Sequence, residues 1–484
     1  MPRRHLLWIL LAFAVSVGVR APLLDRPLSA HHEYCTALVL IVLHNWHVDG
    51  SAAHHGAPAI TFSGPADLIP PGYTDEPTLR DGVLYYLSHP PLAYDLPHLL
   101  FSLTGTAPNA LGLQLFNVFF HLLTAIGLYL IIRELLTERT TTNAPLFGAV
   151  LYLFMPAPLW FHSNAYMSDM FVQNAWVWHV FVVLRMYRTN ATGWRWPVLV
   201  GLTLFITTCI SWPGVWAGMV LCCIALLRWW RTRERWELRV MLVAVTGVGL
   251  ALGYTAWRWL QVVDPDALLA YFGGRFAERR TSMNSGLLAQ LLQLLTNYRT
   301  GYLPVILIAI GVIFRWQRWK DTSKHWRLFL AVAAAPVVLD HLLLLNYAGH
   351  DFAALKGGVL LCTLGGLGIA ALPPRWALAG LMTTCVAGVL YFYRTNPLPG
   401  SDGDRYVQEK EMGLGIGQEA LPNETVFRLG FTAEPQVQWY AKRTLFRVDS
   451  LPQARLLLEA QGTPSGVVFR LEDGHLVHER IALP

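Results

Sequence analysis

Charge is what this sequence has least of. Asp, Glu, Lys and Arg make up 14% of its 484 residues, against roughly a quarter in soluble domains, so bilayer rather than water is the main solvent of the folded chain. Cysteine is also sparse. Five of the six (Cys209, Cys222, Cys223, Cys362 and Cys385) lie inside apolar runs and only Cys35 sits in a polar stretch, so no disulfide framework is evident and the redox compartment is not legible from them. Internal repeats and low-complexity segments are missing too. The formal net charge of +6 says less about partners than the places where the basic residues sit, and no nucleic-acid partner is expected.

What is abundant is apolar sequence, at 54% of positions. At about twenty residues per crossing, about eleven stretches qualify: 6–19, 109–132, 144–161, 170–187, 195–212, 213–228, 238–257, 301–314, 327–346, 353–372 and 375–393. The first follows Arg3 and Arg4, has no small-residue cleavage site and is closed by Arg20; it reads as a retained span rather than a signal peptide. With Arg3 and Arg4 cytoplasmic, the loops carrying Arg133/Arg139, Arg185/Arg188/Arg195, Arg228 to Arg239, Arg315 to Arg327 and Arg375 all fall on the same side, as the excess of basic residues in cytoplasmic loops requires. The stretch 93–104 is too short to cross and is interrupted by Asp95, Pro97 and His98, so it is expected as an interfacial helix in the first outer loop.

The expected fold is therefore an α-helical polytopic membrane protein in the inner, or plasma, membrane, with its N-terminus cytoplasmic. The outer side receives a long loop at 20–109, shorter ones near 163–169, 258–300 and 346–352, and the tail. That tail changes character. Short strand patterns at 426–431, 444–448, 466–471 and 475–481 flank a helical one at 452–460, predicting a small extracytoplasmic α/β domain. The domain boundary falls near Tyr393 to Pro397, dividing a membrane domain, 1–395, from a soluble one, 396–484.

Candidate chemistry gathers on the outer side. Glu33, in "SAHHEYCTA", lies between histidines and an apolar helix, where desolvation favours proton abstraction; the plain alternative is a helix-start carboxylate favoured by the dipole. Asp169, in "FHSNAYMSDMF", stands where a helix begins again, and capping together with Ser168 is its structural alternative. His350 and Asp351 occupy another outer turn, with Lys356 about 8 Å further along a helix; that cation either snorkels to water or pairs with a phosphate or carboxylate. The loop 258–300 carries Arg258, Arg275, Arg279, Arg280 and Arg299 against Asp264, Asp266 and Glu278. Positive charge outside suits an anionic group such as a lipid phosphate, unless the length of the loop simply exempts it. Eight of the seventeen histidines fall between His31 and His98. A divalent metal is conceivable there, yet no cysteine or carboxylate cluster completes a ligand set and none is required.

The order of "HHEY", then "HPPLAY" opening an interfacial helix, then "LGLQLFNVFFHLLTAIGLYLIIREL", "FMPAPLWFHSNAYMSDMF" and the outer-turn "GHDF" resembles the GT-C membrane glycosyltransferases. Within these it is similar to the bacterial branch related to protein O-mannosyltransferases and the lipid A aminoarabinose transferase. The resemblance covers about residues 1 to 395. It implies transfer of a sugar from a polyprenyl-phosphate carrier to a glycan, lipid or protein acceptor on the outer side, usually with inversion. It assigns Glu33 to the first-loop acid acting on the acceptor hydroxyl, with His32 beside it, and Asp169 to a second acidic station. His89 takes the basic position before the Pro pair, and Arg275, Arg279, Arg280, Arg299 and Lys356 are left as cations for the departing phosphate. The chain departs from many relatives in having His32-Glu33 where they carry Asp or Asp-Glu, and His89 where they carry Lys.

Three other readings fit a polytopic chain. A transporter places ionisable groups near the bilayer midplane and often shows paired repeats; here Asp340 and His341 are the clearest mid-span exceptions. A ligase or polymerase of lipid-linked glycans shares the chemistry, but its large loop comes late rather than first. A non-catalytic scaffold would use the tail to hold a partner.

Overall fold

The computed structural model describes residues 1–28, 31–136, 142–189, 193–281, 286–314, 325–396 and 405–483; of residues 276, 279–281, 314, 405 and 406 only the helical backbone is described. The helices, in chain order, are α1 (Arg3–Arg20), α2 (Glu33–Asn45), α3 (Leu92–Thr104), α4 (Ala110–Leu135), α5 (Ala144–Phe154), α6 (Pro156–Phe161), α7 (Ser168–Thr189), α8 (Arg195–Ile210), α9 (Pro213–Thr232) and α10 (Arg235–Trp259). They continue with α11 (Pro265–Thr281), α12 (Gly286–Phe314), α13 (Trp326–Ala333), α14 (Ala335–Leu343), α15 (Gly358–Ala370), α16 (Pro374–Thr395), α17 (Arg405–Glu419), α18 (Pro435–Ala441) and α19 (Leu451–Gln461). Among the described residues, seven helical stretches are long and apolar enough to cross a membrane: 3–23, 110–135, 213–232, 235–259, 326–343, 351–370 and 374–395. The chain is a multi-pass membrane protein.

Each expected apolar stretch falls on helix, but three of them are redrawn, two of these by prolines. The stretch 144–161 is cut into α5 and α6 at Met155, whose extended backbone (φ −75°, ψ 144°) is what a residue before Pro156 must adopt. Pro336 divides 327–346 into α13 and α14. The stretch 353–372 starts as a tight 3₁₀ segment, Asp351–Gly357, before α15 takes over. The short run 93–104 is α3, ordered as one helix. The basic stretch 315–324, Arg139 and residues 397–404 of the expected domain boundary lie outside the described residues.

Inside a bilayer, apolar side chains gain little by meeting each other rather than lipid, so close approach of backbones does much of the packing. At Gly366 of α15 a Cβ would lie 2.6 Å from the Gly148 nitrogen of α5. The α8–α10 pair makes the same kind of contact, with a Cβ on Gly247 falling 2.4 Å from the Gly201 carbonyl oxygen.

The long first loop carries a two-residue pair, β1 (Leu79–Arg80) with β2 (Val83–Leu84). The tail holds β3 (Thr425–Leu429), β4 (Leu445–Val448), β5 (Ser465–Glu472) and β6 (His475–Ala482) in the order β4-β3-β5-β6. β3 runs parallel to β4 and β5, while β6 returns antiparallel through a two-residue turn, Asp473-Gly474. Both turn residues have positive φ, the backbone a tight hairpin requires. This sheet rests on the long first loop: Ile69 and Tyr73 join Phe427, Phe446 and Val448 in one apolar cluster. Buried Arg443 donates from Nε to both Asp67 oxygens, at 3.0 and 3.1 Å.

Candidate active site

The long first loop folds back so that α2 starts beside the α6–α7 turn. Glu33, first residue of α2, is fully buried. Its Oε1 accepts from Arg26 Nη2 at 2.9 Å and, more weakly, from Asn164 Nδ2 at 3.5 Å. Asn164 is held in turn by the Leu23 carbonyl at 2.7 Å, and the Arg26 guanidinium lies over the Trp160 ring at 5.4 Å. A carboxylate buried this way is matched in charge and confined in position.

The two residues before Glu33 carry a second group. His31 and His32 both have positive φ, 32° and 64°, a left-handed backbone that costs strain in non-glycine residues. It aims both rings at Asp351: His31 Nε2 lies 2.6 Å from Asp351 Oδ2 and His32 Nε2 lies 3.0 Å from Oδ1. Burial opposes charge on His31, but its hydrogen bond to Asp351 and the field of that carboxylate prevail, raising the imidazole above its ordinary value. Trp160 stacks on His31 with ring centres 5.2 Å apart and donates from Nε1 to the His31 carbonyl at 2.9 Å. His350 stands edge-on to His32 at 5.3 Å and stacks on Phe352; burial first, then the neighbouring His32, push it below the usual imidazole range.

Asp169 centres a third group. It lies in the first turn of α7, but the expected cap with Ser168 is not formed: Ser168 Oγ is buried and finds no hydrogen-bond partner among the described residues. The Asp169 carboxylate instead meets Lys356 Nζ at 3.8 Å, His89 Nε2 at 3.8 Å and the Ser211 hydroxyl at 3.4 Å. Lys356 does not snorkel. It is buried and donates to Asp340 Oδ2 at 2.5 Å, so of its two expected partner types the structure supplies carboxylates.

These groups adjoin. The charge of Glu33 is felt at His31, and that of Asp169 at His350. Sequence reasoning brought Glu33, His32, His89, Asp169, His350, Asp351 and Lys356 to this region. It missed Arg26, His31, Asn164, Asn396 and the part Asp340 plays; apart from Arg26, seven residues before Glu33, each acts through a contact between separate segments. His31 had a signal, since it shares the "HHEY" motif.

The arginines divide. Arg275 pairs with Glu278 at 3.0 Å and lies over the Tyr271 ring; the Tyr271 hydroxyl is 2.6 Å from Ser88 Oγ, next to His89, so Arg275 approaches the site at one remove. Arg299 is exposed on α12 and no contact among the described residues joins it to these clusters. The side chains of Arg279 and Arg280 lie outside the described residues. Arg258, expected in the same loop, lies in the last turn of α10 and is committed elsewhere, reaching Asp95 of α3 at 2.6 Å and clamping α3 to α10.

No family model matches the chain, and no curated relative matches it. Among solved structures it is similar to ArnT from Cupriavidus metallidurans bound to undecaprenyl phosphate, with 15% identity and a TM-score of 0.64 over 96% of this chain and 93% of that one. It is also similar to the archaeal oligosaccharyltransferase AglB from Archaeoglobus fulgidus, in complex with an inhibitory peptide and a dolichol-phosphate, with 12% identity and a TM-score of 0.59 over 96% and 69% of the two chains. At these identities the likeness establishes the fold. The chain has the GT-C fold that its ordered motifs led one to expect.

Proposed function

We propose that this protein is a membrane glycosyltransferase that moves a sugar from a polyprenyl-phosphate-linked donor to a hydroxyl-bearing acceptor on the outer side of the membrane. The observation that carries the reading is Glu33, a buried carboxylate confined by Arg26 and Asn164, adjoining the His31/His32–Asp351 and Asp169–His89–Lys356 groups in a chain with this fold. In the proposed step the acceptor oxygen gives its proton to Glu33 and attacks the anomeric carbon. The bond from that carbon to the phosphate oxygen breaks, and polyprenyl phosphate leaves with its electron pair. Attack opposite the leaving group inverts the anomeric centre. Confinement of the base supports this through positioning, since a held base reacts as part of one molecule.

The departing phosphate needs cations. His89 and Arg275 are nearest to that role; the charge of Lys356 is already matched by Asp340 and Asp169, so we assign Lys356 to holding those two carboxylates in place. Glu33 is closed off from solvent here, and the acceptor reaches it only when its cover moves. We further read residues 1–395 as the catalytic membrane domain and 396–484 as an outer-side domain, in an inner membrane with the N-terminus cytoplasmic.

Transfer from labelled polyprenyl-phosphate sugars, measured in membranes carrying the wild-type chain or Glu33→Gln, tests the assignment, with folding checked by a detergent melting curve. Loss of transfer with an unchanged melt is the expected result. Equal transfer by both chains would leave Glu33 as a structural ion-pair partner and reject it as the base.

A further inference from the structure

Asn396 decides what lies between His31 and Asp351. Its Nδ2 faces the Phe392 carbonyl at 3.1 Å, which can only accept, so its Oδ1 is the atom turned to His31 Nδ1 at 2.7 Å. That oxygen accepts, and Nδ1 therefore bears the hydrogen. A neutral His31 then presents the Nε2 lone pair to Asp351 Oδ2 at 2.6 Å. A lone pair and a carboxylate oxygen stay that close only with a positive centre between them, either a second proton on the ring or a metal ion.

The surroundings favour the ion. A second imidazole, His32, converges on the other oxygen of the same carboxylate, and one ligand atom from each of the three residues lies within 4.8 Å of the other two. His32 Nδ1 and His350 Nδ1 are buried without a hydrogen-bond partner among the described residues, and the two rings meet edge-on with centres 5.3 Å apart. The left-handed backbone at both His31 and His32 is strain spent on aiming the two rings at one point. Outer partners that fix a ring, as Asn396 and stacked Trp160 do for His31, are what metal-ligating histidines require.

The geometry points to a divalent metal site formed by His31 Nε2, His32 Nε2 and Asp351, of the zinc class. Two imidazoles and a carboxylate are the donor set of a borderline cation, and three protein ligands leave a coordination position open. Ligand bonds of about 2.0–2.2 Å at a tetrahedral angle set donor atoms roughly 3.3–3.6 Å apart, so metal binding opens the present 2.6 and 3.0 Å separations by roughly 0.3–1 Å through side-chain rotation. The site shares no ligand with Glu33 or Asp169 and stands whether or not the chain transfers a sugar. An ion there would add positive charge beside both carboxylates.

The full chain, purified in detergent without a histidine tag, is loaded with zinc, dialysed and assayed for metal by mass spectrometry. The comparison set is His31→Ala, His32→Ala and, as a surface control, His55→Ala. A single zinc per chain in the wild type and in His55→Ala, with affinity lowered at least about tenfold in the other two, is expected. Cobalt substitution of the wild type supplies a readout free of folding defects: visible bands with imidazole-nitrogen couplings in its electron paramagnetic resonance are expected. Substoichiometric zinc in the wild type, or equal zinc in all four chains, would overturn the site and leave an imidazolium–carboxylate pair in its place; so would cobalt without nitrogen couplings.

Discussion

Lys356 and Asp340 are sixteen positions apart in the chain and 2.5 Å apart in space, with the Lys356 ammonium donating to Asp340 Oδ2. Both side chains are buried, and Asp169 approaches the same ammonium from α7 at 3.8 Å. One cation therefore ties α14, the 3₁₀ segment before α15 and the start of α7 at the level of the candidate site.

Removing one member of such a group strands the other charge. Lys356→Met is expected to destabilise the chain by about 3–5 kcal/mol, read as a lowered detergent melting temperature. Adding Asp340→Leu should restore part of the loss and not all of it, because Asp169 stays without its cation. A Lys356→Met chain that melts like the wild type would show that the pair does not hold these segments.

Asp169 joins Lys356, His89 and Ser211, so its effect should appear in turnover more than in substrate binding. Asp169→Asn is expected to lower kcat about a hundredfold, roughly 2.7 kcal/mol, with a smaller change in KM, and Asp169→Glu to recover part of it. A change confined to KM would take Asp169 out of the reacting centre.

Between the first loop and the tail, Asp67 accepts from Arg443 Nε and from the Thr444 backbone N–H at 2.7 Å. Burial raises the Asp67 carboxyl above its usual range, with Arg443 opposing. Asp67→Ala leaves the buried guanidinium without its carboxylate, at a cost of about 3–5 kcal/mol. Limited proteolysis should then cut earlier between α16 and β3, with hydrogen exchange rising across Thr425–Ala482.

The same interface should loosen in acid. His44, edge-on to Phe62 and Trp439, is pushed down to about 4 by burial and by nearby Lys442. Burial brings Lys442 itself down to about 7. Both groups bind protons less readily folded than unfolded, so stability is present at high pH and lost as pH falls. The Lys442 contribution is lost from about 10.5 to about 7, and that of His44 from 6.5 to about 4. Melting temperature should decline through the acid window, and His44→Phe should flatten the decline. A pH-independent melt in that window would remove His44 from the interface.

Composition and local order determined much of this protein by themselves. An apolar run long enough to cross a bilayer has one stable outcome there, a helix that satisfies its own backbone, so every expected stretch falls on helix. The tail's alternating patterns likewise matched strands at Thr425–Leu429, Leu445–Val448, Ser465–Glu472 and His475–Ala482. Glu33, His32 and Asp169 stood out as charge and imidazole at the ends of apolar runs. Only the tertiary structure decided which of these groups meet. In a span that is apolar on every side no periodicity says which face turns inward, so pairings such as His31 with Asp351 and Asn396, Glu33 with Asn164, and Lys356 with Asp340 depend on how separate helices pack. Arg258 shows the converse: a charge that looked available for a ligand is taken up by Asp95, because a buried cation settles on the nearest carboxylate that packing brings to it.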